Sequence, residues 1–348
     1  MCADRLDQIW IDLKRFPFFS FEFLSYSGAL KFMEKLSVSF RQSAQAQDYI
    51  RLEKCITQGR FSVFQCDSPT RRSRYAVKFF PKDSVSKAHY QREKNVLSKL
   101  DHPHVIKYDP ILGHESSRQF DMIITSYAPH GSLMDLCEKN VFKGKEKLIR
   151  TYFRQLIEGI EYIHSKRVAH LDLKLENLLI GEDFLLKIVD FDLAQEAGEK
   201  FLISGGTRDY RAPEIIERDC RDFFAADIYS AGIVLYVLMT GEFPFLERVV
   251  DGKLKNLHYD LFIENNEAFW KLKTERMGKW DYFSEDFKKL LFGMLKPNPK
   301  ERWSLLDIKY SSWFYGPVYD TFSLRFEMGG TLDKLRRSSK NLLNKTMY

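Results

Sequence analysis

HLDLKLENLLIGEDFLLKIVDFD, residues 170–192, is the stretch on which the reading of this chain turns. Residues 170–177 read as a loop and 178–180 as a brief apolar strand. Gly181, Glu182 and Asp183 form a turn, and 185–189 is a second, β-branched-rich run that stops at Asp190. A hairpin would gather Asp172, Lys174, Asn177 and Asp190 into one small volume. Two carboxylates and an amide make an all-oxygen donor set that suits magnesium, a cation that keeps several waters and shares its other ligands with phosphates. A carboxylate beside a lysine can accept a hydroxyl proton while the ammonium neutralises a migrating phosphoryl charge.

With His170, the spacing of Asp172 to Asn177 and the pair Asp190-Phe191, the stretch resembles the catalytic and metal loops of eukaryotic protein kinases. The resemblance implies an α+β, bilobal fold. A small β-rich N-lobe would carry one regulatory helix, and a larger C-lobe would be mostly α-helical. It implies that Asp172 orients or deprotonates the substrate hydroxyl, that Lys174 binds the γ-phosphate, and that Asn177 and Asp190 hold Mg²⁺. ATP and Mg²⁺ are the implied cofactors.

Other segments extend the likeness. In ITQGRFSVF, residues 56–64, the place of a glycine-rich loop keeps only Gly59, with Thr57 and Ser62 at the outer positions. This suggests a lid that is stiffer than usual, and the resemblance puts Ile56, Gly59 and Phe64 at ATP. Lys78 ends the strand-like YAVK and resembles the lysine that binds the α- and β-phosphates. Fifteen residues on, Val96, Leu97 and Leu100 form a helical stripe with Glu93 on its inner side. A buried carboxylate needs a cation, and Lys78 is the family's partner for it. Met122, Ile123 and Ile124 lead into a hinge where Ser126, Tyr127 and Ala128 would meet an adenine edge, with Thr125 as gatekeeper.

Helices dominate after the hinge. Tyr152, Phe153, Leu156, Ile160 and Ile163 sit at helical spacing and read as core. GTRDYRAPE, residues 206–214, is close to the end of a kinase activation segment. By resemblance Thr207 helps position Asp172 and Lys174, Glu214 pairs with a buried Arg302, and Asp227 bonds backbone amides of the catalytic loop. The likeness ends at Phe314. The expected organisation is an N-terminal extension over 1–48 and a kinase domain over 49–314, with lobes of about 49–125 and 129–314. A basic C-terminal tail covers 315–348.

Composition limits the alternatives. With 44% hydrophobic and 29% charged residues, the chain is ordinary for a soluble globular protein and disorder is not its default. Of the net charge of +6, most lies from Arg325 onward, where six Lys/Arg face two Asp/Glu, so no basic groove for nucleic acid is expected in the body. The longest apolar run, 231–239, is short for a membrane span. Five irregularly spaced cysteines fit a reducing cytoplasm or nucleus. Phe19, Phe21 and Phe23 alternate like a short strand. The tail reads as solvated and partly disordered, with a basic amphipathic helix as the alternative. The expected partners are protein substrates bearing Ser or Thr acceptors, with a regulatory partner at the N-terminal extension or the tail.

Three departures stand out. Leu171 replaces the arginine that pairs with an activation-loop phosphate, so activity is not expected to depend on phosphorylation through that contact. Asp192 replaces a glycine after Asp190-Phe191, and the glycine loop is depleted. On these rests the alternative of a pseudokinase scaffold that binds nucleotide without efficient transfer. Against it, Lys78, Glu93, Asp172, Lys174, Asn177 and Asp190 are all present, and Lys174 two residues after Asp172 matches the serine/threonine class.

Overall fold

The computed structural model describes residues 10–11, 50–58, 60–68, 71–110, 120–199, 206–245, 248–250, 253–255 and 257–345. The alternating phenylalanines at 19–23 lie outside these residues. The chain divides into two compact units, one of residues 1–101 with 106–127 and one of residues 102–105 with 128–348.

The first unit is an antiparallel sheet of β1 (Trp10–Ile11), β2 (Ile50–Gln58), β3 (Ser62–Ser68), β4 (Ser73–Pro81) and β5 (Phe120–Ser126), in that order. Helix α1 (Ser84–Leu97) packs on β4 and β5. Its start is set by Asp83, which accepts from the backbone N–H groups of Val85 and Ser86 and so satisfies two of the helix's open donors. Aromatic side chains fill the space beneath: Phe80 lies 4.5 Å from Phe61 and 5.6 Å from Tyr90, ring centre to ring centre. Together these elements form a β-rich region carrying one helix.

The second unit is mostly helical and is built round α5 (Phe223–Thr240), whose residues are buried on nearly every side. Asp222 caps its first turn, and Gly241 at φ +77 ends it in the left-handed conformation that glycine adopts without steric cost. This is the one helix among the described residues long and apolar enough to cross a membrane, and 83% of it is buried inside the unit. Against it packs α3 (Glu146–Ser165), which follows the short α2 (Leu133–Glu138). Tyr152, Phe153, Leu156, Ile160 and Ile163 form its buried stripe, at the spacing read from the sequence. Strands β6 (Val168–Ala169) and β9 (Gln195–Glu196) pair, as do β7 (Leu178–Ile180) and β8 (Leu186–Ile188).

Downstream lie α4 (Pro213–Ile216), α6 (Leu257–Glu264), α7 (Asn266–Met277), α8 (Glu285–Met294), α9 (Leu305–Lys309) and α10 (Ser312–Tyr315). Lys273 of α7 is buried, 5.2 Å from the Phe269 ring centre and 5.9 Å from that of Tyr236, with His258 Nδ1 at 3.4 Å. Burial pushes its ammonium from the ordinary 10.5 down to about 8.

Residues 321–345 form a helix, α11 (Thr321–Lys345), rather than the solvated tail suggested by their charge. Leu324, Met328 and Leu332 recur at i, i+4 and i+8 and are buried, while Lys145 Nζ holds Glu327 at 2.8 Å. The apolar stripe lies just before the basic cluster, and Asp320 supplies a cap by accepting the Ser323 N–H at 2.8 Å. Phe322 and Phe326, on another face, are more than 80% exposed.

Two measurements check this packing. Leu324→Ala or Met328→Ala should cost about 2–5 kcal/mol in urea unfolding, and Phe326→Ala no more than about 0.5 kcal/mol. For Lys273 the depressed folded value means that the unfolded chain binds more protons between pH 8 and 10.5, so stability should rise with pH across that window. Lys273→Met should remove that rise, and identical pH profiles for the two proteins would refute the assignment.

Candidate functional site

The second unit holds the catalytic loop on one buried carboxylate. Asp227, from α5, accepts the backbone N–H groups of His170 and Leu171, each at 2.8 Å, and lies 2.9 Å from His164 Nε2. Leu171 takes φ +61, a conformation costly for a branched side chain, and the Asp227 bond holds it there. Its side chain is buried. His170 Nε2 lies 2.9 Å from the Val189 carbonyl, and its Nδ1 accepts the Asp172 N–H at 3.2 Å. These contacts fit a ring that donates from Nε2 and accepts at Nδ1.

Asp172 is buried, and both oxygens of its carboxylate are engaged. Oδ1 accepts the Thr207 N–H at 3.1 Å, and Oδ2 accepts Lys174 Nζ at 2.7 Å and Asn177 Nδ2 at 3.1 Å. Lys174 Nζ also donates to Thr207 Oγ1 at 3.0 Å. Thr207 thus ties the carboxylate to the ammonium.

The β7–β8 pairing sets Leu178 opposite Ile188, and the Val189 N–H donates to the Asn177 carbonyl at 3.0 Å. Asn177 and Asp190 therefore lie at the same end of one hairpin. Asn177 Nδ2 also donates to the Asp172 carbonyl at 2.9 Å, so the amide nitrogen is engaged by Asp172. An amide oxygen with a carboxylate is a hard donor pair, and it fits a magnesium ion that completes its shell with water and phosphate. Asp190 itself takes φ +68, while Asp192, in the place of the family's glycine, stays outside the left-handed region. The backbone here does not require glycine at 192.

In the first unit Lys78 Nζ and Glu93 Oε2 meet at 2.7 Å, both largely buried. The rings of Phe61 and Phe80 flank the ammonium, with centres 5.3 and 5.2 Å away. Arg60, beside Phe61, reaches His89 Nε2 of α1 at 2.9 Å. Gly59 lies outside the described residues.

Strand register corrects one expectation. Lys78 pairs with Val63, and Phe64 pairs with Val77. Paired residues share a face and successive ones alternate, so Phe64 points away from the face that carries Lys78. Only 1% exposed, it packs edge-on to Phe79 at 5.7 Å as a core residue. Val63 takes the position expected of Phe64, and Ala76 and Thr125, directly paired, share the lysine's face. Ile56 is exposed and falls at an irregularity between β2 and β3. The Ser126 N–H is already committed to the Lys107 carbonyl at 2.8 Å, so its backbone donor is used within the unit. Tyr127 lies under the Arg74 guanidinium at 5.6 Å, and the first unit ends at Tyr127, with Ala128 in the second.

The sequence reading missed Val63, whose face only the register reveals. It also passed over Arg211, whose Nη2 donates to the Gly206 carbonyl beside Asp172. No spacing rule marks that residue.

Further from the reacting groups, Glu214 and Arg302 form a buried two-pronged pair, Nη1 to Oε1 at 2.6 Å and Nη2 to Oε2 at 3.0 Å. The guanidinium also donates to the carbonyls of Ala225, Lys296 and Pro297. Removing one partner leaves a desolvated charge, so Arg302→Ala should cost about 3–5 kcal/mol. Joint replacement by apolar residues of similar volume, Glu214→Leu with Arg302→Met, should cost less than the single change. Urea unfolding of the single and double variants distinguishes the two.

The protein kinase domain family matches residues 50–314. CBL-interacting serine/threonine-protein kinase 12 of Arabidopsis thaliana is 32% identical, over 79% of this chain and 54% of its own. CBL-interacting serine/threonine-protein kinase 20 of the same plant is 34% identical, over 76% and 58%. CBL-interacting protein kinase 26 of Oryza sativa subsp. japonica is 32% identical, over 77% and 52%. The chain spans about half the length of these relatives. With its paired lysine and glutamate, its tethered catalytic loop and these relatives, the chain belongs to the protein kinase domain family.

Proposed function

We propose that this protein is a serine/threonine protein kinase, transferring the γ-phosphoryl group of ATP to Ser or Thr hydroxyls of protein substrates. The observation that carries this reading is the Asp172 carboxylate. Of its roughly four acceptor positions, three are taken by Thr207, Lys174 and Asn177, which leaves room for a hydroxyl proton. A carboxylate fixed this way orients the acceptor oxygen before transfer, and positioning of this kind is the main source of rate in phosphoryl transfer.

Lys174, 2.7 Å from Asp172, would neutralise charge on the migrating group, while Lys78, oriented by Glu93, would hold the α- and β-phosphates. Magnesium, held by Asn177 and Asp190, would screen the charge between phosphate oxygens. The burial of Leu171 and the ordinary φ of Asp192 support a loop that needs neither an arginine nor a glycine at those positions to keep this geometry. The relatives are named for interaction with CBL. The exposed Phe322 and Phe326 of α11 support a regulatory partner at that helix.

The test is transfer from labelled ATP and Mg²⁺ to the protein itself and to a mixed Ser/Thr peptide library. Asp172→Asn should lower transfer by about 10²-fold or more. Equal transfer by the variant would remove Asp172 from its role. No transfer by either protein, with ATP still raising the melting temperature, would make the protein a nucleotide-binding scaffold.

A further inference from the structure

Helix α11 has two faces of opposite character. Leu324, Met328 and Leu332 hold one face on the second unit. Lys145 Nζ ties its edge down, donating to Glu327 Oε1 at 2.8 Å and to Thr331 Oγ1 at 3.4 Å. Opposite Leu324 and Met328 lie Phe322, Phe326, Gly329, Asp333, Arg336 and Arg337, spaced as one helical stripe. The two rings are 84% and 82% exposed. A helix of this phase cannot turn them inward without pulling Leu324 and Met328 out, so their exposure is built into the docking of the helix.

Charge and shape decide what can cover this face. Arg325 at its edge, with Arg336 and Arg337 on it, are all exposed, and the stripe holds one carboxylate, Asp333, which Arg336 meets at 3.5 Å. Lys139 and Lys143, on the loop between α2 and α3 that leads to Lys145, are exposed and have no acidic partner among the described residues. The surface beside the rings has no walls, since a Cβ at Gly329 or Gly330 would meet no atom within 4 Å. Aromatic rings that project from an open, cationic surface are poorly suited to a rigid apolar groove, and well suited to a planar, deformable, anionic partner.

We propose that the outward face of α11 is a membrane-surface site, which seats Phe322 and Phe326 in the interface of an anionic lipid bilayer and sets Arg325, Arg336 and Arg337 on its headgroups. Rings on such a helix enter the boundary between headgroups and acyl chains, about 5–10 Å deep. Helical rise places Arg336 about 15 Å along the axis from Phe326, so rings and guanidinium groups meet one plane when the helix lies flat. Each guanidinium presents a planar fork that matches two oxygens of a lipid phosphate or carboxylate. This inference rests on the reading of α11 as a partner site and names that partner; it does not depend on phosphoryl transfer.

The test is co-sedimentation of the full chain with vesicles of phosphatidylcholine, alone or mixed with phosphatidylserine. Wild type should partition about tenfold or more in favour of the mixed vesicles, and added salt should weaken that binding. Phe322→Ser with Phe326→Ser, and separately Arg336→Gln with Arg337→Gln, should each lower the partition by about tenfold or more. Melting curves that match wild type establish that both variants are folded. Undiminished binding by the phenylalanine variant overturns the proposal, as does equal binding to the two kinds of vesicle. Absence of vesicle binding overturns it too, and a dimer that the phenylalanine variant then converts to monomer in sedimentation velocity would assign the face to a second copy of this chain. Failure of all phosphoryl transfer would sink the kinase reading and leave the vesicle result standing.

Discussion

The catalytic loop hangs on the Asp227 carboxylate. Buried on α5, it takes two backbone N–H groups from His170 and Leu171 and a contact from the His164 ring. A carboxylate inside a helical core is costly unless its oxygens are satisfied, and here the loop itself supplies the satisfaction. The dependence runs both ways, since the left-handed Leu171 is held by the acceptor its N–H finds there. A rigid helix thereby transmits its position to a segment that has no regular structure of its own.

From that anchor the order spreads through hydrogen bonds. The His170 ring links the Asp172 amide to the Val189 carbonyl, joining the catalytic loop to the end of the metal-side hairpin. Asp172, Lys174, Asn177 and Thr207 then close a network in which each side chain is held by at least one of the others. Such polar clusters are rigid when fully satisfied. Arg211, at the edge of the network, is the member whose donors are not all used.

Much of this was legible in the sequence where a motif fixes both residue type and spacing. The hairpin after the catalytic loop and the stripe of α3 follow from period and punctuation, and the buried character of the helix bearing Asp227 follows from the family resemblance. Phe64 was misread because a strand residue's face depends on register, and one step of offset reverses it. The helix α11 was hidden by its charge: Leu324, Met328 and Leu332 stabilise it through contacts with the rest of the unit, which local composition does not report. Arg211 could not be singled out, because an unmet N–H donor is a property of three-dimensional surroundings.

The placement of Phe61 bears on what the Lys78 ammonium can bind. Its ring centre lies 5.3 Å from Lys78 Nζ, and its neighbour Arg60 is held to His89. A phosphate approaching that ammonium must compete with an aromatic face already in its company. The ring is thus a standing competitor that any anion reaching Lys78 has to displace.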